Sequence, residues 1–287
     1  MKKFLKNILL KPMNMVYNVA PRTTLKVIFY LKNGYKLNLE NPKTYNEKLN
    51  WMKLYYRNEL MPLCADKYRV RQYVKDCGGE HLLNELYWNG YNAQEIPFDD
   101  LPQQFVIKVT HGSGFNIICR NKDKLDRKKT IETVNKWLNS KYIPCYGEWF
   151  YGIVKPRIII EKFLNDGENF VPVDYKVFCF HGEPKYIVVD TDRYNGHKKN
   201  VYDCQWNYME GHKMGFPNDK PIKRPECLEE LLKEARKLAG DFPHVRIDFY
   251  IVNNKIYFGE ITFTNGAGFD KIYPYSFDVE LGSYIKL

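Results

Sequence analysis

The spacing of apolar residues predicts a helical start to the chain. Over residues 44–56 the apolar side chains recur every three or four positions, which is the period of one face of an α-helix. A Thr-x-x-Glu sequence opens this segment, as in a capping box. Residues 1–65 are therefore predicted to be mostly helical, with one break at Pro21 and another near Pro42.

The rest of the chain predicts strands and helices in succession. Short apolar runs bounded by turn residues predict strands at 105–109, 115–119, 158–160, 174–180, 185–190, 245–252 and 256–263. Helical periodicity predicts helices at 66–75, 126–140 and 226–240. Because several of the strands come as hairpins, and do not alternate one by one with helices, the expected fold class is α+β.

Composition and charge narrow the class of protein. The 287 residues are 44% apolar and 16% aromatic, which is enough for a sizeable folded core. The net charge of +10 favours an anionic partner such as a nucleotide, an acidic polysaccharide, a membrane surface or nucleic acid. No zinc-finger spacing or RNA-binding aromatic motif points to nucleic acid. The seven cysteines include no CxxC pair, which is typical of free thiols in a reducing compartment.

The first 18 residues are both basic and apolar. Lysines interrupt the apolar run, so it is too short and too charged to span a membrane. One interpretation is an N-terminal helix packed on the protein, and the other is a helix lying on an anionic membrane. Residues 1–18 are therefore the candidate segment for peripheral membrane contact.

The last two predicted strands bring two acids together. If Asn253–Lys255 form a three-residue loop, Asp248 lies directly across from Glu260, on the same face as Arg246. Two such carboxylates repel unless a cation lies between them, and Mg²⁺ accepts one or two carboxylates together with phosphate oxygens. The alternative is that Arg246 neutralises both acids in a surface ion cluster. A two-residue loop would place Asp248 and Glu260 on opposite faces.

Lys108 places a cation inside an apolar predicted strand. A lysine buried there is unfavourable unless it meets an anion. A glycine-rich sequence follows, and its glycines let backbone N–H groups approach phosphate oxygens. These residues are His111, Gly112, Ser113 and Gly114. A simple tight hairpin turn explains the same residues, and the sequence is neither a Walker loop nor a dinucleotide-binding fingerprint.

A third candidate lies where the apolar run at 158–160 ends. Glu161 closes that strand, and Glu168 follows in the connector. Unpaired backbone groups at a strand exit can bind the edge of an adenine, and a nearby carboxylate can accept ribose hydroxyls. A plain strand exit with surface acids explains this pattern as well when it is taken alone.

In chain order, these motifs resemble those of the ATP-grasp superfamily, and most closely its TupA-like branch, which is found in bacterial surface-polysaccharide gene clusters. The similarity covers roughly residues 40–275 and rests on Lys67, Lys108 with HGSG, IIIEKFL with Glu168, DYKVFCF, DTDR, RIDF and GEIT. The resemblance implies two α+β subdomains that clasp ATP. The expected units are a helical N-terminal segment at 1–65, a subdomain with the glycine-rich loop at 66–164, and a subdomain with the metal-binding hairpin at 165–287.

The resemblance also implies how ATP would bind. The phosphates would meet the two lysines and the glycine-rich loop, adenine would lie against the backbone after the buried strand, and one acid would hold the ribose. The implied ATP ligands are Lys67, Lys108, His111, Gly112, Ser113, Gly114, Glu161, Lys162, Phe163, Leu164 and Glu168.

Metal and catalytic roles follow from the same resemblance. Asp248 and Glu260 would bind Mg²⁺. Lys176 and Arg193 would face the γ-phosphate or the acceptor, with Arg246 beside them. Many ATP-grasp enzymes have a Glu-x-Asn sequence at the metal strand, where this chain has Glu-Ile-Thr, as in the TupA-like branch.

The function implied is ligation. In such enzymes ATP phosphorylates a carboxylate, and an amine then attacks the acylphosphate, a chemistry that depends on positioning and charge neutralisation. We therefore expect a cytoplasmic, ATP- and Mg²⁺-dependent carboxylate–amine ligase of surface-polysaccharide (capsule) biosynthesis, with no nucleic-acid partner. Its expected substrates are a saccharide precursor with a carboxylate, such as a uronic acid, and an amine or amino acid. Contact through residues 1–18 would place it at the inner face of the cell membrane.

The sequence also allows three other classes of protein. In the first, Asp190-Thr191-Asp192 would hold a metal and a sugar diphosphate in a glycosyltransferase. Another is a different ATP-dependent phosphoryl transferase. The last is a non-enzymatic, membrane-associated assembly factor built on a retained nucleotide-binding fold. Release of ADP from ATP favours the ligase, whereas hydrolysis of a nucleotide sugar without a response to ATP favours the glycosyltransferase.

Overall fold

The structure, a computed structural model, describes residues 2–165, 167, 171–191 and 196–287. The helices there are α1 (Lys2–Val19), α2 (Pro21–Asn33), α3 (Tyr45–Tyr55), α4 (Leu60–Ala65), α5 (Val70–Asp76), α6 (Arg127–Leu138), α7 (Leu228–Ala239) and α8 (Tyr275–Ser283). The strands are β1 (Leu86–Gly90), β2 (Phe105–Val109), β3 (Asn116–Cys119), β4 (Ile158–Lys162), β5 (Asp174–Phe180), β6 (Glu183–Thr191), β7 (Lys198–Asp203), β8 (Lys213–Met214), β9 (Val245–Val252), β10 (Lys255–Thr262) and β11 (Ile272–Tyr273). The expected α+β class is confirmed.

The helical start of the chain is also confirmed, and local chemistry sets its helix ends. The Thr44 hydroxyl accepts the N–H of Glu47 at 3.2 Å, and the Glu47 carboxylate accepts the N–H of Thr44 at 3.0 Å, which completes the predicted capping box. Pro21 lies in the first turn of α2, where a missing N–H costs nothing. Within the described ranges, none of the helices combines the length and apolarity that crossing a membrane requires.

Two large antiparallel sheets, called sheet A and sheet B, organise the rest of the described chain beside a two-stranded sheet of β8 and β11. Sheet A has the strand order β1-β4-β2-β3, and sheet B has the order β10-β9-β5-β6-β7. The division predicted near residue 164 falls between the last strand of sheet A and the first strand of sheet B along the chain. The exact bounds of the three predicted units remain a prediction.

Each sheet uses one face for a core and leaves part of the other face open. In sheet A, Ile107 and Val109 pack with Val134 of α6, so their neighbours in β2 point to the opposite side. In sheet B, Ile247 and Phe249 pack on one face in the core that also includes α7. On the other face of sheet B, α3 and α8 cover one end through the buried residues Tyr45, Leu49, Phe178, Val188 and Phe277. The remaining end of that face carries charged side chains.

The loop between β9 and β10 is shorter than predicted. Val252 pairs directly with Lys255, so Asn253 and Asn254 form a two-residue loop instead of the three-residue loop expected from the sequence. Both asparagines have positive φ, 50° and 59°. This is the conformation of a type I′ turn, whose twist matches that of the flanking strands.

A β-bulge at Gly259 corrects the register of this hairpin. Phe258 pairs with Phe249, but Glu260 pairs with Asp248, so Gly259 is an extra residue in β10. A two-residue loop alone would have put Asp248 and Glu260 on opposite faces, and the bulge restores them to one face. The predicted pairing of the two acids is therefore confirmed, although the predicted loop is wrong.

We expect Gly259→Ala to lower the free energy of unfolding by about 1–3 kcal/mol. A Cβ added at this position would lie 2.9 Å from the carbonyl oxygen of Asp248, so the strand would have to shift. Chemical denaturation of the two proteins measures the difference. An unchanged free energy of unfolding would show that the bulge tolerates a side chain.

Candidate active site

A cleft lies between the open face of sheet A and Tyr250 of sheet B. Its volume is about 560 Å³ when the open space at its mouth is counted. Its walls combine polar groups with the apolar side chains of Val106, Ile118, Leu164 and Pro172. The predicted Lys108 also lines this cleft, because it shares the face of β2 with Val106.

The backbone just after β4 borders the cleft. Phe163 and Leu164 follow the end of the strand at Lys162, and both line the cleft. Their backbone N–H and C=O groups make no hydrogen bond with any other residue in the described part of the chain. Apolar walls with free backbone groups suit a planar heterocyclic base, as predicted for this segment.

Cations line a second, smaller pocket that shares Asn84 and Lys108 with the cleft. Lys108 Nζ donates to Glu161 Oε2 at 2.7 Å, and Arg71 Nη1 donates to Glu161 Oε1 at 3.2 Å. Lys67 lines the same space. Among the described residues bordering it, these three cations face the single carboxylate of Glu161, so the net charge is positive and suits a polyphosphate. Lys108 thus meets an anion at the surface of the cleft instead of being buried in the core.

The glycine loop, residues 110–114, joins β2 and β3. The N–H of Val109 donates to the C=O of Phe115 at 3.0 Å, so five residues close this hairpin and it is not a tight turn. Gly112 and Gly114 have φ of 87° and 77°, a region that glycine adopts without strain. As far as the structure describes the chain, the backbone N–H groups of residues 112–114 donate to no acceptor. They are available for an anion.

Lys67 connects the glycine loop to the acidic hairpin. Its Nζ donates to the C=O of Gly112 at 3.0 Å and lies 3.9 Å from Glu260 Oε2. His111 is placed differently: it is buried, and its Nε2 lies 2.9 Å from the C=O of Ser140. The structure therefore brings the loop and the hairpin together through Lys67, but it does not bring His111 to the cations of the cleft.

Arg246 joins the two acids of the hairpin. Its Nε and Nη2 donate to the two carboxylate oxygens of Asp248, both at 2.7 Å, and Nη2 also donates to Glu260 Oε1 at 3.1 Å. Its Nη1 donates to Asn265 Oδ1 at 2.6 Å. The carboxylates of Asp248 and Glu260 therefore converge on one nitrogen, as the predicted pairing requires. In this structure the group between them is the guanidinium that the sequence offered as the alternative to a metal.

Lys176 extends this cluster into the centre of sheet B. Its Nζ donates to Asp174 and to Asp248 Oδ2 at 3.0 Å, and it lies 3.5 Å from Asp190 Oδ2. Burial lowers the pKa of Lys176, but Asp174 and Asp248 more than offset this and raise the pKa above its ordinary value. Burial likewise raises the pKa of Asp248, and Arg246 and Lys176 bring it down to about 2. Both groups are therefore charged at neutral pH.

A family model described as TupA-like ATPgrasp matches residues 47–286. The chain belongs to the TupA-like ATP-grasp family. The match begins in α3 and runs through both sheets, the cleft and the charged cluster. The resemblance stated from the motifs and the expected ATP-grasp fold are therefore confirmed.

Several solved structures are similar to this ATP-grasp chain at low identity. D-alanine–D-alanine ligase from Bacillus anthracis, complexed with ATP, has 16% identity and a TM-score of 0.43, with 70% of this chain and 53% of that chain covered. Phosphoribosylamine–glycine ligase from Thermotoga maritima has 15% identity and a TM-score of 0.41, with 71% of this chain and 48% of that chain covered. L-amino acid ligase from Bacillus licheniformis has 14% identity and a TM-score of 0.47, with 88% of this chain and 56% of that chain covered. The chain spans about half the length of these proteins. A search of curated proteins gave no match.

Some predicted ligands of the ATP-grasp site cannot be placed. Glu168, the predicted ribose ligand, and Arg193, a predicted catalytic cation, lie outside the described residues, as does Asp192 of the acid-x-acid motif. Asp190 of that motif is buried and contacts Lys176, and its Oδ2 lies 3.2 Å from His197 Nε2. Asp190 therefore belongs to the charged cluster around Lys176.

The structure places two further charged residues in the candidate site that the sequence analysis did not select. Arg71 shares Glu161 with Lys108, and Asp174 shares Lys176 with Asp248. Spacing could have indicated both. Arg71 follows Lys67 by four positions, and Asp174 precedes Lys176 by two positions on one strand face.

Proposed function

We propose that this protein is a carboxylate–amine ligase that uses ATP and Mg²⁺ and acts through an acylphosphate. One observation supports this above all others: the cleft with the free backbone groups adjoins a cationic pocket, and Lys67 at that pocket lies 3.9 Å from one of the two converging acids. Adenine would lie beside Phe163 and Leu164. The phosphates would extend along Lys108, Arg71 and Lys67 to the hairpin, with the glycine loop over them.

The donors on the hairpin fit a magnesium ion carried by ATP. Asp248 and Glu260 offer carboxylate oxygens that converge, and Asn265 offers an amide oxygen beside them. In the described part of the chain no group of three or more His, Cys, Asp or Glu forms a complete metal site. This suits Mg²⁺, which is usually held by one or two carboxylates and completed by phosphate oxygens and water. Bound there, the ion would neutralise charge on the β- and γ-phosphates.

The cations of the charged cluster would serve the transfer itself. A substrate carboxylate oxygen attacks the γ-phosphorus and ADP leaves, and the amine then attacks the acylphosphate carbonyl as phosphate leaves. Lys176 is held by the buried carboxylates of Asp174 and Asp248, so it would orient the transferring phosphoryl group and stabilise its charge without reorganising. Arg246 would add its charge beside Lys176 once the metal takes its place between Asp248 and Glu260. Arg193 is proposed to act beside them, and this proposal rests on the sequence resemblance alone.

The substrate proposal rests on the resemblance to the TupA-like branch. The carboxylate would belong to a saccharide precursor such as a uronic acid, and the amine would be an amino acid or another amine. The reaction would serve bacterial surface-polysaccharide (capsule) biosynthesis in the cytoplasm, where ATP is available. Contact of residues 1–18 with the inner face of the membrane would suit a lipid-linked precursor.

A thermal-shift screen with ATP, ADP and nucleotide sugars, each with and without Mg²⁺, tests ligand binding. A ligand that binds only the folded state raises the melting temperature, so ATP with Mg²⁺ is expected to give the largest shift. Release of ADP that depends on a uronic acid and an amine tests ligation. A shift with a nucleotide sugar but none with ATP would overturn the proposal in favour of the glycosyltransferase.

Lys108→Met is expected to weaken ATP binding by about 10- to 100-fold, because a hydrogen bond between charged groups is lost. The fold should persist, since Arg71 still pairs with Glu161 at 3.2 Å. Lys124→Met is the matched control, because Lys124 is exposed and outside the cleft. Isothermal titration with ATP measures both affinities. Equal affinities in the two variants would remove Lys108 from the phosphate site.

A further inference from the structure

The N-terminal hairpin, residues 2–33, exposes apolar side chains on both of its helices. On α1, Met13 and Tyr17 pack against the core cluster that contains Leu25 and Phe29. The outward side of the hairpin is apolar as well, although it faces solvent. Its exposed side chains are Met15, Val16 and Val19 on α1, and Val27, Tyr30 and Leu31 on α2. Val19 is 88% exposed and Leu31 is 73% exposed, which is costly for large apolar groups unless something covers them.

The same hairpin is strongly basic. Residues 2–33 contain seven Lys and Arg and no Asp or Glu, so this segment supplies +7 of the net charge of +10. Glu40, just after the hairpin, lies 2.7 Å from Arg22 and 3.5 Å from Lys26. The other five basic residues of the segment are lysines, and four of them lie in α1.

We propose that the outward side of α1 and α2 is a docking surface for an anionic lipid bilayer. The six exposed apolar side chains would enter the boundary between headgroups and acyl chains, and the positive charge of the segment would favour an anionic surface. This adds α2 and a defined apolar side to the contact expected of residues 1–18. It does not depend on the ligase reaction.

Charge complementarity favours a bilayer over a second copy of the chain as the occupant. Two hairpins face to face would bring seven positive charges against seven, and such like-charge contacts oppose association. An anionic bilayer offers the opposite charge together with an apolar interior. Apolar burial and electrostatic attraction then act in the same direction.

Flotation of the full-length protein with lipid vesicles tests the proposal. Binding is expected to vesicles of phosphatidylcholine with phosphatidylglycerol, with little binding to phosphatidylcholine alone, and high salt should weaken it. The double variant Val19→Glu, Leu31→Glu should bind these vesicles at least about 10-fold more weakly than the wild type, because each glutamate opposes both the apolar and the electrostatic contribution. The matched control is Tyr273→Glu, Leu287→Glu, which adds the same charge at exposed apolar positions elsewhere and should bind like the wild type.

The outcomes separate the possible occupants. Melting temperatures equal to that of the wild type show that both double variants are folded. Equal binding of the two double variants, or equal binding to neutral and anionic vesicles, overturns the proposal. Light scattering that finds a dimer, lost in Val19→Glu, Leu31→Glu and accompanied by no vesicle binding, assigns the surface to a second copy and also overturns it.

Discussion

Glu260→Gln is expected to lower the rate of ATP-dependent ADP release by about 100-fold, because one charge that holds the metal and phosphates is lost. The protein should stay folded, since the Glu260 side chain is 41% exposed and its ion pair with Arg246 is partly screened by water. The variant should also need more Mg²⁺ for half-maximal activity. A coupled assay for ADP, with Mg²⁺ varied at fixed ATP, measures both effects.

Glu210→Gln is the matched control for this substitution. Glu210 is exposed, and its side chain forms no ion pair or hydrogen bond with the other described residues. The same loss of one carboxylate there should leave activity and the Mg²⁺ requirement unchanged. If Glu260→Gln behaved like this control, the hairpin would not be the metal site, and Arg246 would be the permanent partner of both acids.

Asp248→Asn is expected to lower the free energy of unfolding by about 3 kcal/mol and to abolish ADP release. Asp248 is fully buried between Arg246 and Lys176, with contacts of 2.7 Å and 3.0 Å, so the substitution leaves two buried cations short of a counter-charge. Glu260→Gln removes a proposed ligand of the same ion but should cost less than about 1 kcal/mol. Urea denaturation of the two variants compares these costs directly. Equal stability of the two would contradict the contribution assigned to the buried cluster.

Acid should reproduce the loss of stability in the wild-type protein. The pKa of Asp248 is about 2 in the folded state against an ordinary value of 3.8, because Arg246 and Lys176 outweigh burial. The unfolded state therefore takes up the proton first as the pH falls. The stabilisation by this group is complete above about pH 4 and is lost as the pH falls toward 2, and it should be missing in Asp248→Asn at every pH.

Local patterns explain why much of the fold could be predicted. The capping box and helical stripe of α3 depend on residues within one or two turns, and so does the proline at the start of α2. The strands β2, β5 and β9 are apolar runs bounded by turn residues. In contrast, β1 and β7 were missed. The sequence of β1 is LYWNG with every residue half-buried, and β7 begins with two lysines, so neither has a clear apolar period.

The candidate site also has a part that the sequence predicted and a part that it could not predict. The sequence alone determined which segments form the candidate site: a lysine and glycines after an apolar strand, a carboxylate at a strand exit, and two acids in the last hairpin. It could do so because each motif is short and its residues alternate with the period of a strand. The family followed from the order of these motifs.

Only the tertiary structure decided which of these groups meet. The pairing of Asp248 with Glu260 depends on the bulge at Gly259, since the two-residue loop alone would separate them. The partnership of Lys108 and Arg71 at Glu161, and of Lys176 with Asp248, joins elements far apart in the chain. The physical reason is that buried charges have to find counter-charges wherever the packing of the two sheets brings them, and local periodicity carries no information about that packing.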